Sequence, residues 1–144
     1  MTGYWMFSDG HVGAELQASP ADAAATLAFY EGSVNLHGFR VFTFWVGPAQ
    51  PGWDHNVSPG TAELRLDVDY ENQRAAVTWL ADGTHVNEID PPATPLVTLD
   101  PFTGQDTVPA QVATCSLTSA GVILAEYVAT GTRPSAYPWV SAGS

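Results

Sequence analysis

The cleanest alternation of apolar and polar residues lies in TAELRLDVDY, residues 61–70. Ala62, Leu64, Leu66, Val68 and Tyr70 fall on one side, and Glu63, Arg65, Asp67 and Asp69 on the other. Successive side chains of a strand point to opposite faces, so this predicts a half-buried strand with a charged, solvated outer face. ENQR supplies a turn and AAVTWLAD returns as the partner strand. Asp82-Gly83 then leads into THVNEID, a third strand of a meander. GFRVFTFWVG, residues 38–47, differs because it is apolar on both sides. Phe39, Val41, Thr43 and Trp45 would share one face and Arg40, Phe42, Phe44 and Val46 the other, which places this strand centrally. LVTLD predicts a further short strand, and residues 11–17 alternate weakly as another. VPAQVATCS suits an edge strand, because Pro109 has no N–H to offer a sheet centre.

Two stretches change to helical period. Ser19-Pro20 opens the first: serine accepts from free N–H groups of the first turn, and proline at the first helical position loses nothing. Asp22 suits the positive end of the helix dipole, and Gly32 closes the run. Leu27, Phe29 and Tyr30, with Ala23 and Ala24, are its candidates for facing a sheet. The second helix begins after Ser116 or Thr118 and runs through AGVILAEYVAT. Leu117, Ala120, Leu124 and Tyr127 lie on one face, with Ile123 and Val128 beside them. Gly131 provides a left-handed terminus and Pro134 prevents continuation. The order predicts an α+β fold: an antiparallel meander sheet with an N-terminal and a C-terminal helix packed on it, forming one domain over residues 1–144.

Composition narrows the class. With 144 residues and 45% apolar content, the chain buries a core without disulfides or metals. Its charge is lopsided: fifteen Asp and Glu stand against four Arg, with no Lys, for a formal charge of −11. Phosphate backbones require Lys and Arg, so this charge argues against nucleic acid as a direct ligand and disfavours anionic membrane surfaces. A basic protein partner suits this field; simple solubility is the other reading of the same charge. One cysteine, Cys115, permits no internal disulfide, which fits a reducing cytoplasm. The first residues carry neither a basic region nor a long apolar run, so the expected location is cytoplasmic.

The chemistry-bearing residues form no catalytic signature. His11, His37, His55 and His85 are dispersed without metal-ligand spacing, and no metal or cofactor is expected. Asp67 with Asp69, and Glu88 with Asp90, place carboxylates two apart on strands. Such pairs serve acid–base or metal chemistry, or simply a solvated face. Cys115 reads as a small buried hydrophobe. Of five tryptophans, Trp53 sits in the Pro/Gly-rich loop of residues 48–60, either as an exposed binding anchor or folded back to seal the sheet.

The segment ILAEYVATGTRPSAYPW resembles the C-terminus of an immunity-protein family from bacterial polymorphic toxin systems, one encoded beside nucleic-acid deaminase toxins. The matching positions are Gly131, Arg133, Pro134 and Trp139, following an apolar helix, with the LRLDVDYENQRAAVTWLADG hairpin upstream. The resemblance implies a small α+β, non-enzymatic antidote whose partner is a cognate deaminase toxin. It would cover the toxin's active site or its basic substrate groove, since a deaminase acting on nucleic acid carries cationic walls. The expected contact residues are Asp67, Asp69, Glu71, Glu88 and Asp90, with the Trp53 loop as a second surface. Gly131, Arg133, Pro134 and Trp139 are expected to be architectural, Arg133 pairing with a carboxylate or with helix-end carbonyls. Two other classes stay open: an acidic adaptor or nucleic-acid mimic with another basic partner, and a small enzyme or ligand carrier with a pocket under the first helix.

Overall fold

The structure, a computed structural model, describes residues 4–8, 13–17, 19–34, 38–48, 62–100 and 104–141. Its elements run β1 (Tyr4–Ser8), β2 (Gly13–Gln17), α1 (Pro20–Tyr30), β3 (Val41–Pro48), β4 (Leu64–Asp69), β5 (Arg74–Trp79) and β6 (Thr84–Val86). After these come β7 (Leu96–Asp100), β8 (Gly104–Val108), β9 (Cys115–Ser116), α2 (Leu117–Thr130) and β10 (Trp139–Ser141). The main sheet has the order β10-β6-β5-β4-β3-β1-β2, with β9 paired to β5; β7 and β8 form a separate hairpin. All pairings among the described residues are antiparallel. The architecture is α+β; the meander expected from the alternation is β4-β5-β6, and β3 extends it on the β4 side.

Period two decides which side chains meet. Phe42, Phe44 and Val46 of β3, Leu64, Leu66 and Val68 of β4, and Ala75 and Val77 of β5 enter one core with both helices. From α1 come Ala23, Leu27 and Tyr30, and from α2 Ala120, Ile123, Leu124, Tyr127 and Val128. The spacing 23, 27, 30 is one helical face. Phe29 lies off that face and is 68% exposed, and Ala24 is exposed as well, so neither reaches the sheet. The opposite sheet face has its own core of Val41, Ala76, Leu96, Val108 and Ala113, because the β7–β8 hairpin and the turn after it cover it. That cover corrects the expectation of a solvated outer face.

Caps and turns fix the element ends. Ser19 Oγ accepts from the Asp22 N–H and Ser116 Oγ from the Ser119 N–H, starting α1 and α2. Gly131, at φ 74°, ends α2 in the left-handed region, its N–H donating to the Tyr127 carbonyl at 2.7 Å. At the other helix, the Tyr70 hydroxyl donates to the Leu27 carbonyl at 2.7 Å and Arg40 Nη2 to the Glu31 carbonyl at 2.6 Å. These side chains satisfy last-turn carbonyls that no intrahelical N–H reaches. Burial raises the Tyr70 pKa, keeping the phenol a donor.

THVNEID is a strand only over Thr84–Val86. Beyond it, the Glu88 and Ile89 N–H groups both donate to the Thr114 carbonyl at 2.8 Å, and the Asn87 N–H donates to the Pro138 carbonyl. VPAQVATCS likewise divides into the end of β8, a 3-10 turn at Ala110–Val112, and β9. Removing the Tyr70 hydroxyl tests the α1 anchor: Tyr70→Phe should lower the unfolding free energy by about 1 kcal/mol. The urea midpoint should fall while the slope of the transition is unchanged.

Candidate partner-binding surface

The charges can be traced one group at a time, beginning with the scarce cations. Arg65 Nε lies 3.1 Å from Asp67 Oδ2 and its guanidinium carbon 5.1 Å from the Trp45 ring centre. Arg74 Nη1 donates to the carbonyls of Asp90 at 2.8 Å and Ala113 at 3.1 Å. Arg133 Nη1 donates to Asp82 Oδ2 at 3.2 Å and Thr84 Oγ1 at 3.1 Å. With Arg40 on the Glu31 carbonyl, all four arginines are committed to the fold.

The expected contact carboxylates divide into two groups. Asp67 is 2% exposed and Asp69 5% exposed, so neither presents a contact face. Asp67 sits on the face that the β7–β8 hairpin covers, where Thr43 Oγ1 donates to it at 2.6 Å beside the Arg65 pair. A carboxylate without such partners would not stay charged there. Asp69 accepts from the Glu71 and Asn72 N–H groups and from Asn72 Nδ2, which builds the β4–β5 turn. Glu88 is exposed but also committed, accepting from the Ser116 N–H at 3.0 Å and Ser119 Oγ at 2.6 Å at the start of α2. The Ser119 hydrogen bond, chief among its contacts, holds the Glu88 carboxyl below its usual range. Glu71 and Asp90 remain: both are exposed, and their carboxylates join no hydrogen bond or ion pair among the described residues. Glu71 lines a cavity of about 200 Å³ with Phe39, Pro92 and Pro95. Phe39, 45% exposed, was hidden from sequence reasoning because it reads as the first residue of a buried strand. Trp53 lies outside the described residues, as do His11, His37 and His55.

The tail makes intramolecular contacts at every motif position. Trp139 pairs with Val86 as β10 joins the sheet edge, and Trp139 Nε1 donates to the Pro134 carbonyl at 2.7 Å. The Arg133 guanidinium carbon lies 5.2 Å from the Trp139 ring centre, a cation–π stack that continues into the Asp82 ion pair. Thr84 hydrogen bonds first, and then Arg133, hold the Asp82 carboxyl below its usual range.

The described residues contain no cluster of three His, Cys, Asp or Glu that could hold a metal. Burial, with Glu88 adding, pushes the Cys115 thiol up to about 12, which suppresses the thiolate. A groove of about 370 Å³ lies between α1 and α2, bordered by Leu27, Glu31, Tyr70, Leu117, Gly121 and Val122.

The family model described as Immunity protein Imm1 matches residues 33–141. This chain belongs to the Imm1 immunity protein family. The match takes in the meander, the covering hairpin, α2 and the tail, so the Arg133–Trp139 stack belongs to the family region. Immunity proteins act on toxin proteins, so membership implies a toxin as partner and an inhibitory rather than a catalytic role. No match is found among curated proteins.

Two measurements test this Imm1 surface. Asp67→Asn should lower stability by about 2 kcal/mol in a urea titration, because it strands the Arg65 charge on a covered face. Toxin affinity of the folded variant should be unchanged. His85, 5% exposed with Nδ1 buried and unpartnered, has its pKa held below 6.5 by burial. Between that lowered value and 6.5 the unfolded chain binds more protons than the native one, so stability falls as pH drops through this window. Chemical unfolding compared at about pH 7 and about pH 5.5 should show this loss, and His85→Leu should remove its share.

Proposed function

We propose that this Imm1 protein binds a cognate nucleic-acid deaminase toxin in the bacterial cytoplasm and blocks its active site or basic substrate groove. The observation that carries this reading is the asymmetry of the surface charge. Every arginine is tied to a carbonyl or carboxylate of the same chain, while exposed carboxylates such as Glu71 and Asp90 have no such partner among the described residues. A formal charge of −11, with each arginine held by groups of the same chain, favours a cationic partner. A groove built for phosphates is such a partner, and an acidic surface laid over it excludes the nucleic acid. Inhibition here needs complementarity and occlusion, with no chemistry performed by the inhibitor. Glu71, Asp90 and the neighbouring Phe39 form the contact patch in this reading, with the Trp53 loop available as a second one.

Binding to the toxin domain encoded beside this chain's gene is the direct test. The wild type should bind it, block deamination of single- or double-stranded substrate, and protect cells in co-expression. The double variant Glu71→Lys/Asp90→Lys should unfold at the wild-type temperature but bind about tenfold or more weakly, with a shallower salt dependence. Failure of the wild type to bind that toxin at micromolar concentration overturns the reading. Equal affinity of the double variant moves the contact away from this patch.

A further inference from the structure

Among the described strands, β7 and β8 alone stand outside the main sheet, paired with each other. A two-stranded hairpin by itself is marginal, so its order depends on what it packs against. The apolar part of that packing is small. Leu96 and Val108 of the hairpin, with Ala113 after it, meet Val41 and Ala76 of the sheet. The seam also encloses polar groups, Thr43, Asp67 and Thr98, each at most 2% exposed. Both of its ends are incompletely filled. A cavity of about 200 Å³ lies between Phe39 and Glu71 on the sheet side and Pro92 and Pro95 on the hairpin side. A second, of about 210 Å³, lies between Arg65 and Thr78 on one side and Thr107 and Pro109 on the other. Interiors at native density leave few voids larger than a water molecule. Here the close packing is confined to the centre of the seam, and regions with few buried apolar contacts open at the lowest free energy.

The chain on either side of the hairpin is tied down. Arg74 Nη1 donates to the Asp90 carbonyl before it at 2.8 Å and to the Ala113 carbonyl after it at 3.1 Å. Just beyond, Thr114 Oγ1 donates to the Val86 carbonyl at 2.7 Å. Between these ties and the strands stand Pro91, Pro92, Pro95 and Pro109, none of which has an N–H to join a sheet ladder. The chain thus leaves the main body and returns to it at one guanidinium, which is the geometry of a pivot. We propose that the β7–β8 hairpin is a hinged cover, which swings off the sheet as a unit about the Arg74 tie while the main sheet and both helices stay folded. The open form brings water to the Arg65–Asp67 pair and to Thr43, and leaves the core beneath the helices intact. The proposal concerns the free protein and is independent of the identity of its partner.

Thiol labelling tests it, because the chain carries its own reference. Cys115 is fully buried in the core beneath the helices, and Ala76 is fully buried beneath the hairpin. In Ala76→Cys, each thiol is labelled with a maleimide, located by peptide mass spectrometry, and its rate taken relative to the same thiol in the urea-unfolded chain. The thiol at position 76 should label about tenfold or more faster than Cys115. Its rate should rise only shallowly with sub-denaturing urea, since little surface is exposed on opening, whereas that of Cys115 should rise steeply. Adding Ile123→Val to the main core should speed Cys115 about fivefold and leave position 76 unchanged, because the open form keeps that core. Val41→Cys, near in volume to valine and on a different strand of the same seam, is the second probe and replaces Ala76→Cys if that variant does not fold. Fast, urea-insensitive labelling at both positions supports the hinged cover. Rates and urea slopes equal to those of Cys115 overturn it, since the hairpin then leaves only on global unfolding. Fast labelling at one of the two positions alone also overturns it, because the seam then frays locally and the hairpin does not move as a unit.

Discussion

Strand β3 is buried along both of its faces, and the rest of the molecule answers that constraint. Phe42, Phe44 and Val46 need one cover; Val41, Thr43 and Trp45 need another. Two helices supply the first and the β7–β8 hairpin the second. Once both covers are in place, the neighbouring strand β4 cannot keep a solvated side. Asp67 is trapped beside Thr43 and must be held by Arg65, whose guanidinium in turn lies against Trp45. A charge that alternation assigns to solvent thus becomes part of the interior, stable only because its hydrogen bonds are complete.

The same economy governs the edges. The Arg133–Trp139 stack holds the chain after α2 against the β5–β6 turn, and β10 then closes the β6 edge that would otherwise present free N–H groups. Glu88 ties the chain after β6 to the start of α2, and Arg74 ties β5 to Asp90 and Ala113. Cations and several carboxylates therefore serve as fasteners. The formal charge of −11 leaves the chain strongly negative, a field that favours partners of opposite charge. Membership of the Imm1 family implies a toxin as the partner.

Some of this was legible in the chain itself. Alternation with period two located β4 and β5, and apolar character on both sides marked β3 as central. Ser116, Gly131 and Pro134 announced the ends of α2, because capping depends on a few adjacent residues. The short tail motif carried the family resemblance that the Imm1 match bears out. Strands β1 and β10 left little trace, since a five-residue and a three-residue pairing depend on which partner edge is open. THVNEID was read too long because the Thr114 carbonyl, which diverts two of its N–H groups, lies far along the chain.

The candidate contact residues divide along the same line. The sequence by itself determined the charge excess, the start and end of α2, the two strands of the central hairpin and the family, since each depends on composition or on neighbours along the chain. Only tertiary structure decided that Asp67 and Asp69 are buried, that Glu88 is held at the start of α2, and that Glu71 and Asp90 are exposed. Exposure is a property of what packs on a face, and the hairpin covering β4 lies some thirty residues away in the chain. The groove at Gly121 likewise exists only because two helices distant in sequence lie side by side.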